Sequence, residues 1–253
     1  MIHFVGAGSG APDLITVRGK ALLESADIII YAGSLVNREL LDYAKPECEI
    51  YNSAGMSFPE IIEVMTTNSK KEIVRLHTGD PSIYGAIKEQ TDALAERGIE
   101  YDICPGVSSM FGAAAALGAE YTVPGVSQSV IITRMAGRTP VPEKESIELL
   151  ARHGASMVIF LSAGMLEELS KELIRGGYEP DTSAAIVYKA TWTDEKKLIT
   201  TVEKLAETGA ENGINKTALV LVGDFLKPDY ERSRLYAPEF THSFRKSDTW
   251  TEK

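Results

Sequence analysis

The chain has 253 residues, a formal net charge of −10, 44% hydrophobic and 25% charged residues. That length allows one large unit or two modest ones, and the composition excludes disordered and fibrous classes. The acidic balance argues against a nucleic-acid-binding surface, which shows a basic excess.

In chain order, Ile2–Val5 is predicted as a short apolar strand, and Thr16 as the N-cap of a helix running to Ser25. Asp27–Tyr31 is a β-branched run of the kind that is buried on both faces. A helix over Pro59–Asn68, a strand over Glu72–His77 and a helix over Ser82–Arg97 follow, with Gly98 in the C-cap role. Glu100–Cys104 reads as a strand and Ser108–Leu117 as an Ala-rich helix. This alternation predicts a mostly parallel sheet with helices on its faces.

The pattern breaks around Gly118–Gly125, where two glycines flank a segment containing Pro124. We therefore expect an N-terminal unit over 1–118, a linker over 119–126 and a second α/β unit over 127–226. In the second unit, Ser129–Thr133, Ser156–Leu161, Ser183–Tyr188, Lys197–Thr201 and Thr217–Val222 are predicted strands. Helices are predicted over Glu143–Arg152, Gly164–Arg175 and Val202–Glu211, and 227–253 reads as an irregular tail. No internal repeat of fixed period is found.

Cys48 and Cys104 are isolated, and His3, His77, His153 and His242 show no ligand spacing, so neither a disulfide framework nor a protein-held metal is expected. No apolar run approaches the ~20 residues of a bilayer span. The start lacks a basic region and a cleavage site, so no signal peptide is expected and the cytoplasm is the expected compartment.

Three strand-end loops carry the chemistry. In VGAGSGAPDL (5–14), Gly6, Gly8 and Ala11 satisfy G-x-G-x-x-A, the fingerprint of a dinucleotide turn. Its two confirming contexts are missing. The helix begins late, after Pro12-Asp13-Leu14-Ile15, and the second strand ends in Tyr31-Ala32-Gly33-Ser34 without an acid for a ribose. A glycine bend at a strand end is the competing reading. The second loop, His77–Gly85, holds Asp80 before Pro81, either a helix cap or a ligand-binding carboxylate. The third, Cys104–Ser109, is either a tight turn with Ser108 as N-cap or part of a site. All three converge on the carboxyl edge of one sheet, where open α/β proteins bind ligands. They offer backbone N–H groups, small side chains and one carboxylate, which suits a nucleoside-like ligand. The Gly-Lys-Ser/Thr of a polyphosphate site is absent.

In combination, VGAGSGAPDLIT (5–16), DIIIYAGSLV (27–36), LHTGDPSIYG (76–85), CPGVSSMFGAAAALG (104–118) and YTVPGVSQSVIITR (121–134) resemble the tetrapyrrole (precorrin) methylases. The resemblance spans roughly 1–226. YAGSLV, ITRMAGRTPVP (132–142) and the tail RLYAPEFTHSFR (234–245) are similar to the branch that methylates C11 of precorrin-4 or its cobalt form. The resemblance implies two α/β domains, a parallel-sheet N-terminal one and a mixed-sheet C-terminal one, with the active cleft between them. It implies S-adenosyl-L-methionine as methyl donor, a small-molecule tetrapyrrole substrate, and a homodimer without nucleic-acid or membrane partners. The first loop would then shape the cleft floor and not bind NAD.

Carried over residue by residue, the family's cofactor contacts fall on Ser9, Thr78, Gly79, Asp80, Ile83, Ser108, Ser109, Leu161 and Ala190. Relatives often have Pro at Ser9, Gly at Thr78 and Met at Leu161. The tetrapyrrole is expected at the loops Gly33–Asn37 and Met135–Pro142. Its carboxylates need local cations in an acidic protein, and Arg134 and Arg138 are the candidates because a planar guanidinium binds carboxylate bidentately. Ser34 is a further candidate. His77 is expected as a satisfied structural histidine and Tyr84 as a helix-face packing residue. Methyl transfer from a sulfonium is an in-line displacement in which positioning supplies much of the rate; no general base stands out. Methylation of another tetrapyrrole position, including uroporphyrinogen III, an NAD-type oxidoreductase and a non-enzymatic tetrapyrrole carrier remain as alternatives.

Overall fold

The computed structural model describes residues 1–227, 230–233 and 237–246. The predicted tail over 227–253, with its RLYAPEFTHSFR motif, therefore lies partly outside the described residues. The chain forms two five-stranded sheets. The first contains β1 (Ile2–Gly6), β2 (Ile28–Tyr31), β3 (Glu49–Asn52), β4 (Ile73–His77) and β5 (Tyr101–Cys104). Its order is β3-β2-β4-β1-β5, and every pairing is parallel.

Alternation along β2 explains its continuous apolar run. Ile28 and Ile30 face one side with Ile2, Phe4, Ile73 and the helices α2 (Phe58–Thr67) and α3 (Ile87–Ala95). Ile29 and Tyr31 face the other with Val5, Val74 and Leu23 of α1 (Val17–Ser25). Both faces being covered, the strand has no polar side. Thr16 caps α1 as predicted, its hydroxyl accepting from the Gly19 N–H at 3.0 Å.

The second sheet contains β6 (Val130–Arg134), β7 (Ser156–Phe160), β8 (Ser183–Tyr188), β9 (Lys196–Thr201) and β10 (Ala218–Val222). Its order is β6-β7-β10-β8-β9; β6 and β7 run parallel and the other pairings are antiparallel. One face carries α5 (Ile147–Ala151), α6 (Leu166–Arg175) and α7 (Leu205–Glu211). The other face is covered by α4 (Ser109–Leu117), whose Met110, Ala113 and Ala114 pack with Val158, Val187 and Leu221. Thus α4 follows the first sheet in sequence but packs on the second, joining the two apolar cores around the space between them.

Several elements differ from expectation; the helix expected over Glu143–Arg152 is split at Ser146 into a 3-10 turn (Glu143–Glu145) and the short α5. The helix predicted from Ser82 begins only at Ile87. Tyr84 (φ 54°) and Ala86 (φ 49°) are left-handed, and a Cβ at Gly85 between them would lie 2.2 Å from the Pro81 carbonyl oxygen. The segment is therefore a turned loop, and Tyr84 is not on a helix face. The edge strand β3 was not anticipated; it is mostly exposed and lacks the alternation that marks a half-buried strand. Among the described residues no helix is long and apolar enough to cross a membrane, and no group of three or more His, Cys, Asp or Glu could hold a metal.

Candidate active site

A cavity of about 570 Å³ lies between the carboxyl edge of the first sheet and the adjoining edge of the second. Ser9, Ser34, Thr78, Gly79, Asp80, Ile83, Ser108, Ser109, Leu161 and Ala190 all line it. Arg134 and Arg138 do not. The Arg134 guanidinium donates to the carbonyls of Met135 (3.0 Å), Thr139 (3.2 Å) and Pro140 (2.8 Å), tying its own loop into a closed turn. It is near enough to Tyr84 to oppose the upward push that burial gives that phenol. Arg138 is exposed on the same loop.

The three loops interlock through their backbones. Ala7 N–H donates to the His77 carbonyl at 2.7 Å, and Gly8 and Gly79 exchange N–H···O bonds at 3.3 and 3.0 Å. Most first-loop N–H groups are thus not open to a ligand, which removes the donor set a pyrophosphate would need. A Cβ at Gly6 would lie 2.5 Å from Gly106 Cα and 2.6 Å from the Gly79 carbonyl oxygen, so the glycines serve close approach.

Asp80 fastens the second loop to the third. One carboxylate oxygen accepts from the Gly106 N–H at 2.8 Å, and the other accepts from the Ser82 N–H at 2.9 Å and from the Ser82 hydroxyl. Burial pushes this carboxyl up, but the bonds from Ser82 and Gly106 outweigh it and hold it below its ordinary value. Its role is neither a plain helix cap nor a free carboxylate.

Other groups are left unmatched. Thr78 Oγ1 and His77 Nε2 are buried without a hydrogen-bond partner. His77 therefore differs from the satisfied histidine expected; burial and the Arg75 charge push its pKa down to about 3, so it is neutral at physiological pH. Ser108 occupies the N-cap position of α4, yet its side chain makes no capping bond. The start of α4 thus presents the hydroxyls of Ser108 and Ser109, with the positive end of a helix dipole, to the cavity.

Backbone strain gathers here as well. Among the described residues six non-glycine residues have positive φ, and four of them line the cavity: Tyr84 (54°), Leu161 (53°), Lys189 (47°) and Thr217 (55°). Each such residue costs about 1–2 kcal/mol, and such outliers concentrate where a site imposes a shape. Leu161, a large apolar side chain, is 63% exposed in this position. Sequence reasoning missed Arg75, Lys189, Trp192 and the Asn215–Leu219 segment, all on the wall. Arg75 lies inside a strand pattern, and the others carry no motif.

The fold and the cleft define a two-sheet α/β enzyme with a large cavity between its sheets. The chain belongs to the tetrapyrrole (corrin/porphyrin) methylases, whose family model matches residues 1–206. It is 56% identical over 249 residues to the cobalt-precorrin-4 C(11)-methyltransferase of Methanocaldococcus jannaschii, covering 97% of this chain and 96% of that one. The X-ray structure of a cobalamin biosynthetic enzyme, cobalt precorrin-4 methyltransferase, superposes with a TM-score of 0.87 at 46% identity, over 90% of this chain and 96% of that one. Uroporphyrin-III C-methyl transferase from Thermus thermophilus, complexed with S-adenyl homocysteine, superposes with a TM-score of 0.77 at 26% identity, over 89% and 98% of the two chains.

Proposed function

We propose that the protein transfers a methyl group from S-adenosyl-L-methionine to C11 of cobalt-precorrin-4 or precorrin-4, in the making of the corrin ring. The reading is carried by the cleft between the sheets in a chain 56% identical over nearly its whole length to a cobalt-precorrin-4 C(11)-methyltransferase. The donor's chemistry is that of a sulfonium, an electrophile whose methyl group is displaced in line.

The residues present suit such a donor. Thr78 Oγ1 is a buried hydroxyl in want of a partner, fitted to a polar edge of the nucleoside. The uncapped hydroxyl of Ser108 and the start of α4 suit the donor's carboxylate. Leu161 and Ala190 offer apolar surface to the adenine, with Ser9, Gly79, Asp80, Ile83 and Ser109 completing the donor site. Asp80 acts by keeping two loops in one geometry and Ser34 is proposed for the tetrapyrrole side, where the loop carrying Arg134 and Arg138 would meet the substrate's rim. What the chain contributes is orientation and exclusion of water, worth roughly 7–11 kcal/mol when reacting atoms are held in line. Units over 1–118 and 127–226, a homodimer and a cytoplasmic setting complete the reading.

Incubation with cobalt-precorrin-4 and 13C-methyl-labelled donor tests it. A single labelled methyl at C11 by NMR is the expected result. Label at another ring carbon, or methylation of uroporphyrinogen III in its place, would overturn it.

A further inference from the structure

The cavity's charges do not balance. Its wall holds one carboxylate, Asp80, whose oxygens are already committed to Ser82 and Gly106. Against it stand three cations, Arg75, Lys189 and Lys216. Lys189 is paired with Asp194 at 2.6 Å, and Lys216 is exposed at the rim, where an unpaired ammonium is hydrated at no cost. Arg75 is different: it is 6% exposed.

Its protein partners are neutral. Nε donates to Gln90 Oε1 at 3.1 Å, and one terminal nitrogen donates to the Ile30 carbonyl at 3.1 Å. A guanidinium has five N–H donors, so these bonds fix its plane without using them all. No carboxylate among the described residues pairs with it, and burial alone shifts its pKa, down to about 10, leaving it charged at neutral pH. A buried, uncompensated cation is costly unless an anion completes it. Beside it on the same wall stands His77, 3% exposed, with its Nε2 unpartnered.

We infer that Arg75, with His77 beside it, forms a buried subsite for a ligand carboxylate, and that this carboxylate is an acetate or propionate arm of the tetrapyrrole. The fork of a guanidinium matches a carboxylate, and its register opposite Ile30 of β2 sets it next to Ala32, Ser34 and Leu35, which leave that strand into the cavity. The inference rests on the tetrapyrrole reading above. It makes Arg75 a residue that fixes which way round the macrocycle sits, a role that Arg134, which does not line the cavity, does not share.

The test uses the full chain with uroporphyrin I, a stable octacarboxylate, titrated by fluorescence quenching, and S-adenosylhomocysteine, titrated by calorimetry. In Arg75→Gln the uroporphyrin Kd is expected to rise at least tenfold while the S-adenosylhomocysteine Kd stays within twofold; Arg75→Lys recovers part of the loss. In wild-type protein labelled with 15N-arginine, the Arg75 Nε–H resonance is expected to shift with uroporphyrin and not with S-adenosylhomocysteine. This second measurement decides the matter even where Arg75→Gln does not fold. An unshifted resonance, or an unchanged uroporphyrin Kd in a folded variant, would overturn the subsite. A response to S-adenosylhomocysteine alone would overturn its assignment to the tetrapyrrole by giving the arginine to the methyl donor. Wild-type protein that binds S-adenosylhomocysteine and neither uroporphyrin nor cobalt-precorrin-4 would instead remove the tetrapyrrole reading itself.

Discussion

Gly10 and Trp192 are in direct contact across the cleft: a Cβ at Gly10 would lie 2.2 Å from Trp192 Cδ1. Around this point the Ala11 N–H donates to the Thr191 hydroxyl at 2.9 Å, which also lies 3.2 Å from the Ser9 hydroxyl. Asn37 holds the Gly10 carbonyl at 3.0 Å from below. The glycine-rich loop is thus a seam between the two halves of the chain, and the absence of a side chain at Gly10 is what lets Trp192 approach it. Gly10→Ala should force the indole aside. We expect a Kd for S-adenosylhomocysteine raised about tenfold, which is about 1.4 kcal/mol, and a shifted Trp192 emission in a Trp250→Phe background. An unchanged Kd and spectrum would mean that the seam carries no binding energy.

Asp80 supports the same floor from the side. In Asp80→Asn the amide NH2 would have to face either the Gly106 N–H or the Ser82 N–H, donor against donor. Loss of one such charged hydrogen bond at a partly exposed site costs about 1–3 kcal/mol. A melting temperature lower by about 2–12 °C is expected by calorimetry for a protein of this size. Binding of S-adenosylhomocysteine should weaken in parallel. A variant as stable as the parent would show the staple to be dispensable.

His77 gives the protein an acid-sensitive element. Its folded pKa of about 3 lies below the unfolded value of about 6.5. Between those values the unfolded chain binds a proton that the folded chain does not, so stability is lost as pH falls, at up to ~1.4 kcal/mol per pH unit. Carboxylates whose values are held low, such as Asp80 and Glu60, add their own loss only when pH drops below their ordinary range near 4. Melting temperature measured from pH 6.5 to 5 lies above that carboxylate range, and comparison with His77→Gln separates His77 from the other three histidines. His77→Gln should flatten that slope; an equal slope in the variant would assign it to other groups.

At Leu161 conformation and function oppose each other. Its left-handed backbone is uncomfortable for leucine and natural for glycine. We expect Leu161→Gly to leave the melting temperature unchanged or raise it by a few degrees, while the Kd for S-adenosylhomocysteine rises several-fold. A destabilised variant with intact binding would reverse the argument.

The residues differ in how openly they declare these roles. The buried strand β2 is plain in its β-branched run, the start of α1 in Thr16, and the end of α4 in Gly118, which adopts the left-handed cap at φ 61°. The three strand-end loops could be assigned to one rim because strand-loop-helix order forces them there. The late start of α3 could not be seen. Ser82-Ile83-Tyr84 is compatible with a helix, and only the approach of Gly85 to the Pro81 carbonyl turns it aside. Arg75 was hidden for another reason: strand alternation shows which face it occupies but not how far a long side chain reaches along that face. Trp192 and Thr217 come to the cavity through tertiary packing between segments far apart in sequence.

The contact among Gly6, Gly79 and Gly106 has a consequence for how such a protein can change. Each lies at the end of a different parallel strand; a Cβ on Gly6 would meet Gly106 Cα at 2.5 Å and the Gly79 carbonyl oxygen at 2.6 Å, and one on Gly106 would meet the same oxygen at 2.1 Å, while Gly79 itself is held at φ 63°. Gly6 and Gly106 cannot be replaced while their neighbours stay as they are, since the clash is with backbone, which does not yield as a flexible side chain does; at Gly79 it is the left-handed backbone that favours glycine. Diversity of substrate must then arise elsewhere, in the segments that leave β2 and in the second sheet. The cavity floor behaves as a single packed unit, and a library built to redirect the enzyme would do best to leave all three positions untouched.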